Sequence, residues 1–334
     1  MTIDSLDQLF ESFQNKKVLV LGDVMLDAYV YGSVNRISPE APVPVVHVSS
    51  KEERLGGAAN VALNIQALGA TPILCSVVGD DEAGIAFSER LKVRGITEKG
   101  IIRSANRITT VKSRIISGVQ QLIRIDAEVD QPLDPIDKKT LMDHVSALVQ
   151  ECDLVIFEDY DKGCLDAEVI AHVIAEANAA GKLTAVDPKK RNFLSYRNCT
   201  LFKPNLKELK EGLDISVDPT SVDSLKSGVD QLNETLGAEN ELITLSQFGI
   251  YYQNQHTNGG HPAHLRSISD VSGAGDTVIS IAALALDAGM PLAFVAELAN
   301  LGGGIVCESP GVVPIDLNRL KEEAAKNERL SFSN

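Results

Sequence analysis

Six short runs, KKVLVLG (16–22), TPILCSVVG (71–79), CDLVIFED (152–159), KLTAVD (182–187), CTLFKPN (199–205) and ELITLS (241–246), are apolar at their centres and show no sustained alternation of polar and apolar residues. A strand without a polar side has to be covered on both faces. Helix-length segments lie between them: AANVALNIQALGA (58–70), AGIAFSERLKVRG (83–95) and AEVIAHVIAEANAAG (167–181). This alternation predicts right-handed β-α-β units and an α/β fold, a doubly wound and mainly parallel sheet. Ligands on such sheets gather beyond the carboxyl ends of the strands. Asp23, Asp159, Asp187 and Asn205 fall at those ends.

Two segments break the pattern. AYVYGSVNRIS with PVPVVHVSS (28–50) and TTVKSRIISGVQQLIRID (109–126) are β-branched and roughly alternating, so they read as antiparallel strands added to the main sheet, forming a small β-sheet lid. No repeat or low-complexity linker divides the chain, and residues 1–334 read as one domain. The polar tail after Ala325 is expected to fray.

The stretch DVSGAGDTV (270–278) opens an Ala-rich apolar run. Gly273 and Gly275 can take backbone conformations closed to other residues and leave room for a ligand. The unpaired N–H groups of a helix start attract anions. Asp276 is placed either to cap the helix or to accept a proton from an attacking hydroxyl; the second role points to phosphoryl transfer.

Other motifs carry the same two-sided reading. Asp23 and Asp27 in GDVMLDAY suit polyol hydroxyls or are ordinary turn acids. Gly56 and Gly57 precede a helix bearing Asn60 and Asn64, where Asn60 offers a donor and an acceptor to a hydroxyl or merely caps. Lys112 and Arg114 share one face of a strand and Arg124 lies on the return strand; the three could hold a phosphate or be solvated edge charges. In KPNLKE, Asn205 and Glu208 form either a capping box or a water-mediated magnesium site. Lys162 and Lys189 could approach phosphates.

Composition narrows the classes. A formal charge of −15 argues against a nucleic-acid surface, so phosphates must be met by local basic groups. Five cysteines, an odd number without a C-x-x-C, read as reduced thiols of a cytoplasmic protein. Acidic residues near the N-terminus and interrupted apolar runs give no secretory signal or membrane span.

In this order, these segments resemble the ribokinase-like, or phosphofructokinase-B, family of carbohydrate kinases, from about residue 17 to about 316. The Gly56–Gly57 pair with Asn60 is similar to the family's N-terminal signature, and DVSGAGD to its C-terminal one. Within the family, GDVMLDAY, NRISPEAPVPVV (35–46), QQLIRID (120–126), DYDKG and VDPK are most similar to kinases of D-glycero-β-D-manno-heptose 7-phosphate, which serve ADP-heptose and lipopolysaccharide synthesis. No H-x-G-H-type nucleotidyltransferase segment follows, and none is expected in this chain.

The resemblance implies Asp276 as general base, with the N–H groups of Gly273, Ala274 and Gly275 stabilising the transferring phosphoryl group. Asp23, Asp27, Gly56, Gly57 and Asn60 would bind the sugar. Asn205 and Glu208 would hold Mg²⁺ through water, and Ser246, Gly249 and Asn300 would lie near ATP. Charge alone assigns Lys112, Arg114, Arg124 and Lys189 to the sugar phosphate. A homodimer through the lid is expected, and a monovalent-cation requirement stays open. Three positions depart from the family pattern: Ile281 replaces a small residue, Leu245 an arginine, and ESPG (308–311) a more basic loop. The last two keep a non-catalytic sugar-phosphate sensor open beside a kinase for another sugar.

Overall fold

The computed structural model describes residues 3–332. Its strands are β1 (Lys17–Gly22), β2 (Val24–Ile37), β3 (Pro44–Gly57), β4 (Thr71–Gly79), β5 (Gly100–Ser104), β6 (Val111–Ser117), β7 (Gln120–Ala127), β8 (Leu154–Glu158), β9 (Leu183–Asp187), β10 (Leu201–Phe202), β11 (Asn240–Thr244), β12 (Ile250–Asn254) and β13 (Asn258–His261). Nine of them form one sheet in the order β13-β12-β11-β10-β9-β8-β1-β4-β5. Pairing is parallel from β5 across to β11, and β12 and β13 add an antiparallel edge.

The central strand explains the layering. Val18 and Val20 join the apolar cluster under helices Ala58–Ala67, Ala274–Asp287 and Leu292–Val306, whereas Leu19 and Leu21 join the one under Pro135–Glu151, Ala167–Ala179 and Val222–Leu236. Side chains one residue apart point to opposite faces, so an all-apolar strand needs helices on both. The run read as a strand at 199–205 shrinks to Leu201–Phe202. Lys203 N–H still bonds Val186 O, but Pro204 has no N–H to continue the ladder.

The lid differs from its expected form. It is a separate four-stranded sheet, β3-β2-β6-β7, and its central pair, β2 with β6, is parallel. Both strands leave the core at the same end: Asp23 alone separates β1 from β2, and Leu26 N–H bonds Thr110 O where β6 begins. The sheet also extends inward beyond 28–50, because Val24, Leu26 and Leu55 are buried in the core.

The tail past Ala325 is held rather than frayed. Asn327 Nδ2 donates to Glu297 Oε1 at 2.6 Å, and Leu330 is buried. Among the described residues no helix is long and apolar enough to cross a membrane.

Candidate active site

Helix Ala274–Asp287 starts from Gly273, whose φ of +79° suits glycine, and a Cβ there would lie 2.9 Å from Asn60 Nδ2. Its first intrahelical bond runs from Thr277 N–H to Gly273 O at 3.1 Å. The N–H groups of Gly275 and Asp276 precede that bond and lack helical acceptors. Ala274 N–H turns back to Val271 O at 3.3 Å, so it is a weaker candidate for the anion site than its neighbours.

Asp276 is buried and clamped. Its Oδ2 accepts from Asn60 Nδ2 at 2.6 Å and its Oδ1 from Tyr160 Oη at 2.9 Å. Burial lifts its carboxyl above the ordinary range, with Asp187 adding to the rise, while the bonds from Asn60 and Tyr160 and the charge of Lys203 oppose it. A base lifted toward neutrality is better matched to proton abstraction. Asn60 Oδ1 has no donor.

Beneath Asp276 lies an acidic floor. Carboxylate oxygens of Glu158, Asp187 and Asp276 all lie within 4.8 Å of one another. Lys203 Nζ sits 2.8 Å from Asp187 Oδ2, and Lys189 Nζ 3.8 Å from Asp187 Oδ1, so the floor already carries fixed cations. Glu158 has no donor on either oxygen, and burial, followed by the charges of Asp187 and Asp276, pushes its carboxyl well above the usual carboxylate range.

A cavity of about 660 Å³ opens from this floor. Asn205, Ser246, Gly249 and Asn300, read from sequence as nucleotide residues, line it together with Gly273, Ala274, Gly275 and Asp276. Asn205 and Glu208 do form the capping box, with Glu208 N–H to Asn205 Oδ1 at 2.9 Å and Asn205 N–H to Glu208 Oε2 at 2.8 Å. Each Glu208 oxygen accepts one donor, the other being Lys189 Nζ at 2.7 Å, and keeps a lone pair for a water. That donor set suits a hydrated Mg²⁺. Lys189, assigned by charge to the sugar phosphate, lines this cavity and is engaged by Glu208.

The departures from the family pattern are absorbed by packing. Leu245 is buried in the core and does not line the cavity. Ile281 projects to Gly302, where a Cβ would come within 2.1 Å of its Cδ1. Glu308 of the ESPG loop binds Arg266 Nη1 at 2.9 Å, and it also pairs with Arg319.

On the lid side, Asp27 and Arg114 pair at 2.5 Å beside Gly56, where a Cβ would lie 2.2 Å from Asp27 Oδ2. Gly57 turns the chain into the helix with φ +61°. Two guanidinium groups approach the Tyr29 ring, Arg54 at 4.9 Å and Arg114 at 5.3 Å from its centre. Lys112 is engaged by Asp126 and Glu128, and the half-exposed Arg124 by Asp126. The three cations called from sequence therefore do not form one free cluster.

Asp23 is the clearest correction. Its Oδ2 accepts the N–H groups of Tyr160 and Lys162 at 2.9 and 3.0 Å, and its Oδ1 that of Cys164 at 2.9 Å. It anchors a loop rather than offering a free face to sugar hydroxyls. Burial, reinforced by Asp159, raises its carboxyl to about 6. Sequence reading did not single out Tyr160 and Lys203, which line the cavity, or Arg54, which lies over Tyr29 on the lid side. Lys203 opens the KPNLKE segment, and Tyr160 stands inside EDYDKG.

Together these features make the chain a phosphotransferase of the ribokinase-like fold. It belongs to the pfkB family of carbohydrate kinases, matching it over residues 15–317. Bifunctional protein HldE of Helicobacter pylori is 40% identical over 89% of the chain, and that of Caulobacter vibrioides 42% over 92%. The chain spans 64% and 63% of the length of these two relatives. Solved structures show the same fold: phosphofructokinase-2 of Escherichia coli in complex with potassium (TM-score 0.74, 17% identity, 92% of this chain and 97% of that one) and ribokinase of Arabidopsis thaliana complexed with ribose and ATP (0.70, 16%, 92% and 99%).

Proposed function

We propose that the chain transfers the γ-phosphoryl group of ATP to the anomeric C1 hydroxyl of D-glycero-β-D-manno-heptose 7-phosphate, giving the 1,7-bisphosphate. The observation that carries the chemistry is Asp276, held at a helix start in the wall of a nucleotide-sized cavity. Its carboxylate takes the hydroxyl proton while the sugar oxygen bonds to the γ-phosphorus and the bond to the bridging β-γ oxygen breaks, its electron pair leaving with ADP. The Gly275 and Asp276 N–H groups and Lys203 face the charge that develops. Asn205 and Glu208 would hold Mg²⁺ through water, where the ion neutralises nucleotide phosphate charge.

The heptose assignment is supported by the likeness of NRISPEAPVPVV and its companion segments to heptose-phosphate kinases, and by the similarity to HldE over most of the chain. Arg114, paired with Asp27 beside Gly56, offers a lid cation next to the sugar signature. A lid with Ile123 and Ile125 more than half exposed supports pairing of two copies through that sheet. Leu245, which motivated a non-catalytic reading, faces the core, so it gives that reading no support.

ADP release with MgATP is measured against heptose 7-phosphate, fructose 6-phosphate, fructose and ribose, with Asp276→Asn as control. Turnover preferring heptose 7-phosphate and lost in the variant is expected. Preference for another sugar would overturn the substrate, and an Asp276→Asn enzyme of normal turnover would overturn the base.

A further inference from the structure

We infer that Tyr160 is a positioning residue for the base, its hydroxyl fixing the plane in which the Asp276 carboxylate meets the substrate; this rests on the kinase reading above. Tyr160 lies two residues beyond β8 and lines the cavity. Its backbone is fixed from the first strand: Asp23 Oδ2 takes its N–H at 2.9 Å and also binds Lys162, while Asp23 Oδ1 holds Cys164. Its side chain then reaches Asp276 Oδ1 at 2.9 Å, with Lys189 Nζ 5.3 Å from the ring centre.

The second donor makes the arrangement a clamp. Asn60 Nδ2 holds Asp276 Oδ2 at 2.6 Å, so one donor grips each oxygen and rotation of the carboxylate breaks both bonds. Each oxygen keeps a lone pair whose direction is set by the clamp. A phenol can fill this role because it donates in its neutral form, and burial, with the nearby negative charges of Asp276, Glu158 and Asp187, pushes its own ionisation well above the usual range. The groups facing Asp276 are Asn60 from helix Ala58–Ala67, Glu158 from β8, Tyr160, Asp187 from β9 and Lys203 beyond β10. Tyr160 is the one among them that donates a hydroxyl.

Tyr160→Phe removes that donor and keeps the ring that walls the cavity. A hydrogen bond to the charged form favours ionisation, so its loss raises the Asp276 pKa. The acid limb of kcat/KM is expected to move up by about one pH unit, and kcat to fall about tenfold to a hundredfold, with KM for ATP within about twofold of wild type. A purely structural role would leave the acid limb in place.

The same shift is read without turnover, by ¹³C NMR titration of the Asp276 carboxyl in the full chain, assigned by its loss in Asp276→Asn. An upward midpoint in Tyr160→Phe supports the clamp. If the wild type turns over no sugar while this midpoint still moves, the proposed reaction fails and the positioning of Asp276 stands. A Tyr160→Phe protein with an unmoved midpoint, or with wild-type kcat and acid limb, would overturn the inference.

Discussion

Replacing Lys203 by Met tests whether the acidic floor is held together by its buried lysine. Lys203 is 2% exposed, and its Nζ lies 2.8 Å from Asp187 Oδ2, itself in a cluster with Glu158 and Asp276. At an effective dielectric of about 20, unit charges at that separation attract by about 6 kcal/mol, part of which only offsets the desolvation of both ions. Removing one member of a buried pair leaves the other uncompensated and costs about 3–5 kcal/mol. Lys203→Met should lose stability in that range in urea unfolding, followed by circular dichroism at pH 8. Lys203→Met combined with Asp187→Asn should cost less than the two single changes added, by about 1–3 kcal/mol. Activity should fall in either case, because Nζ lies 3.6 Å from where a Gly275 Cβ would stand, beside the helix start proposed to meet the phosphoryl group. A single variant within about 1 kcal/mol of wild type, or a strictly additive cycle, would refute the compensation argument.

Other outcomes follow from the same geometry. Glu241 is buried with Oε2 lacking a donor, and burial raises its carboxyl to about 7. The folded chain therefore holds a proton that the unfolded chain has lost: stability falls as pH rises from about 4.5 to 7 and is level above that, with a cost of about 3 kcal/mol. Glu241→Gln should flatten this slope and stabilise the protein at pH 8; an unchanged slope in urea titrations at several pH values would count against it. Gly56→Ala places a methyl 2.2 Å from Asp27 Oδ2, so the Asp27–Arg114 pair must shift. KM for the sugar phosphate should rise severalfold while KM for ATP holds, and equal effects on both would contradict the lid-side placement.

Much of the fold could be read from the apolar runs, because strands covered on both faces have no polar positions to obscure them. Thr71–Gly79 was read to the residue. The run at 199–205 was overextended, because the strand stops at Phe202, before the Lys-Pro-Asn that closes the run. The direction of the lid strands lay outside local reach: β2 and β6 are parallel because both depart from the same end of the core, a fact about topology rather than about either segment. Near the cavity, the backbone roles of Gly273 and Asn205 could be read because a left-handed turn and a capping box have local causes, whereas Asp276 and Asn60 cap nothing and meet each other across the fold. Asp23 was misread because a carboxylate after a strand looks the same whether it faces a ligand or the N–H groups of Tyr160, Lys162 and Cys164. Tyr160 and Lys203 carry no local pattern, and only the approach of β8, β9 and β10 to the helix start gives them their partners.

The joints of the lid have a mechanical consequence. β2 leaves the core after a single residue, Asp23, and β3 ends at Gly57, directly against the helix that begins at Ala58. The third entry is stapled, since Thr109 N–H and Oγ1 both bond Asp81, at 2.8 and 2.7 Å. A sheet so mounted works as a lever whose fulcrum is inside the protein, not as a flap on slack cord. Any swing applies torque to the Gly57 joint, three residues from Asn60, and to Asp23, which carries Tyr160. Both groups that grip Asp276, Asn60 and Tyr160, therefore sit one short step from a joint of this sheet, so a swing of the sheet would be felt at the Asp276 carboxylate.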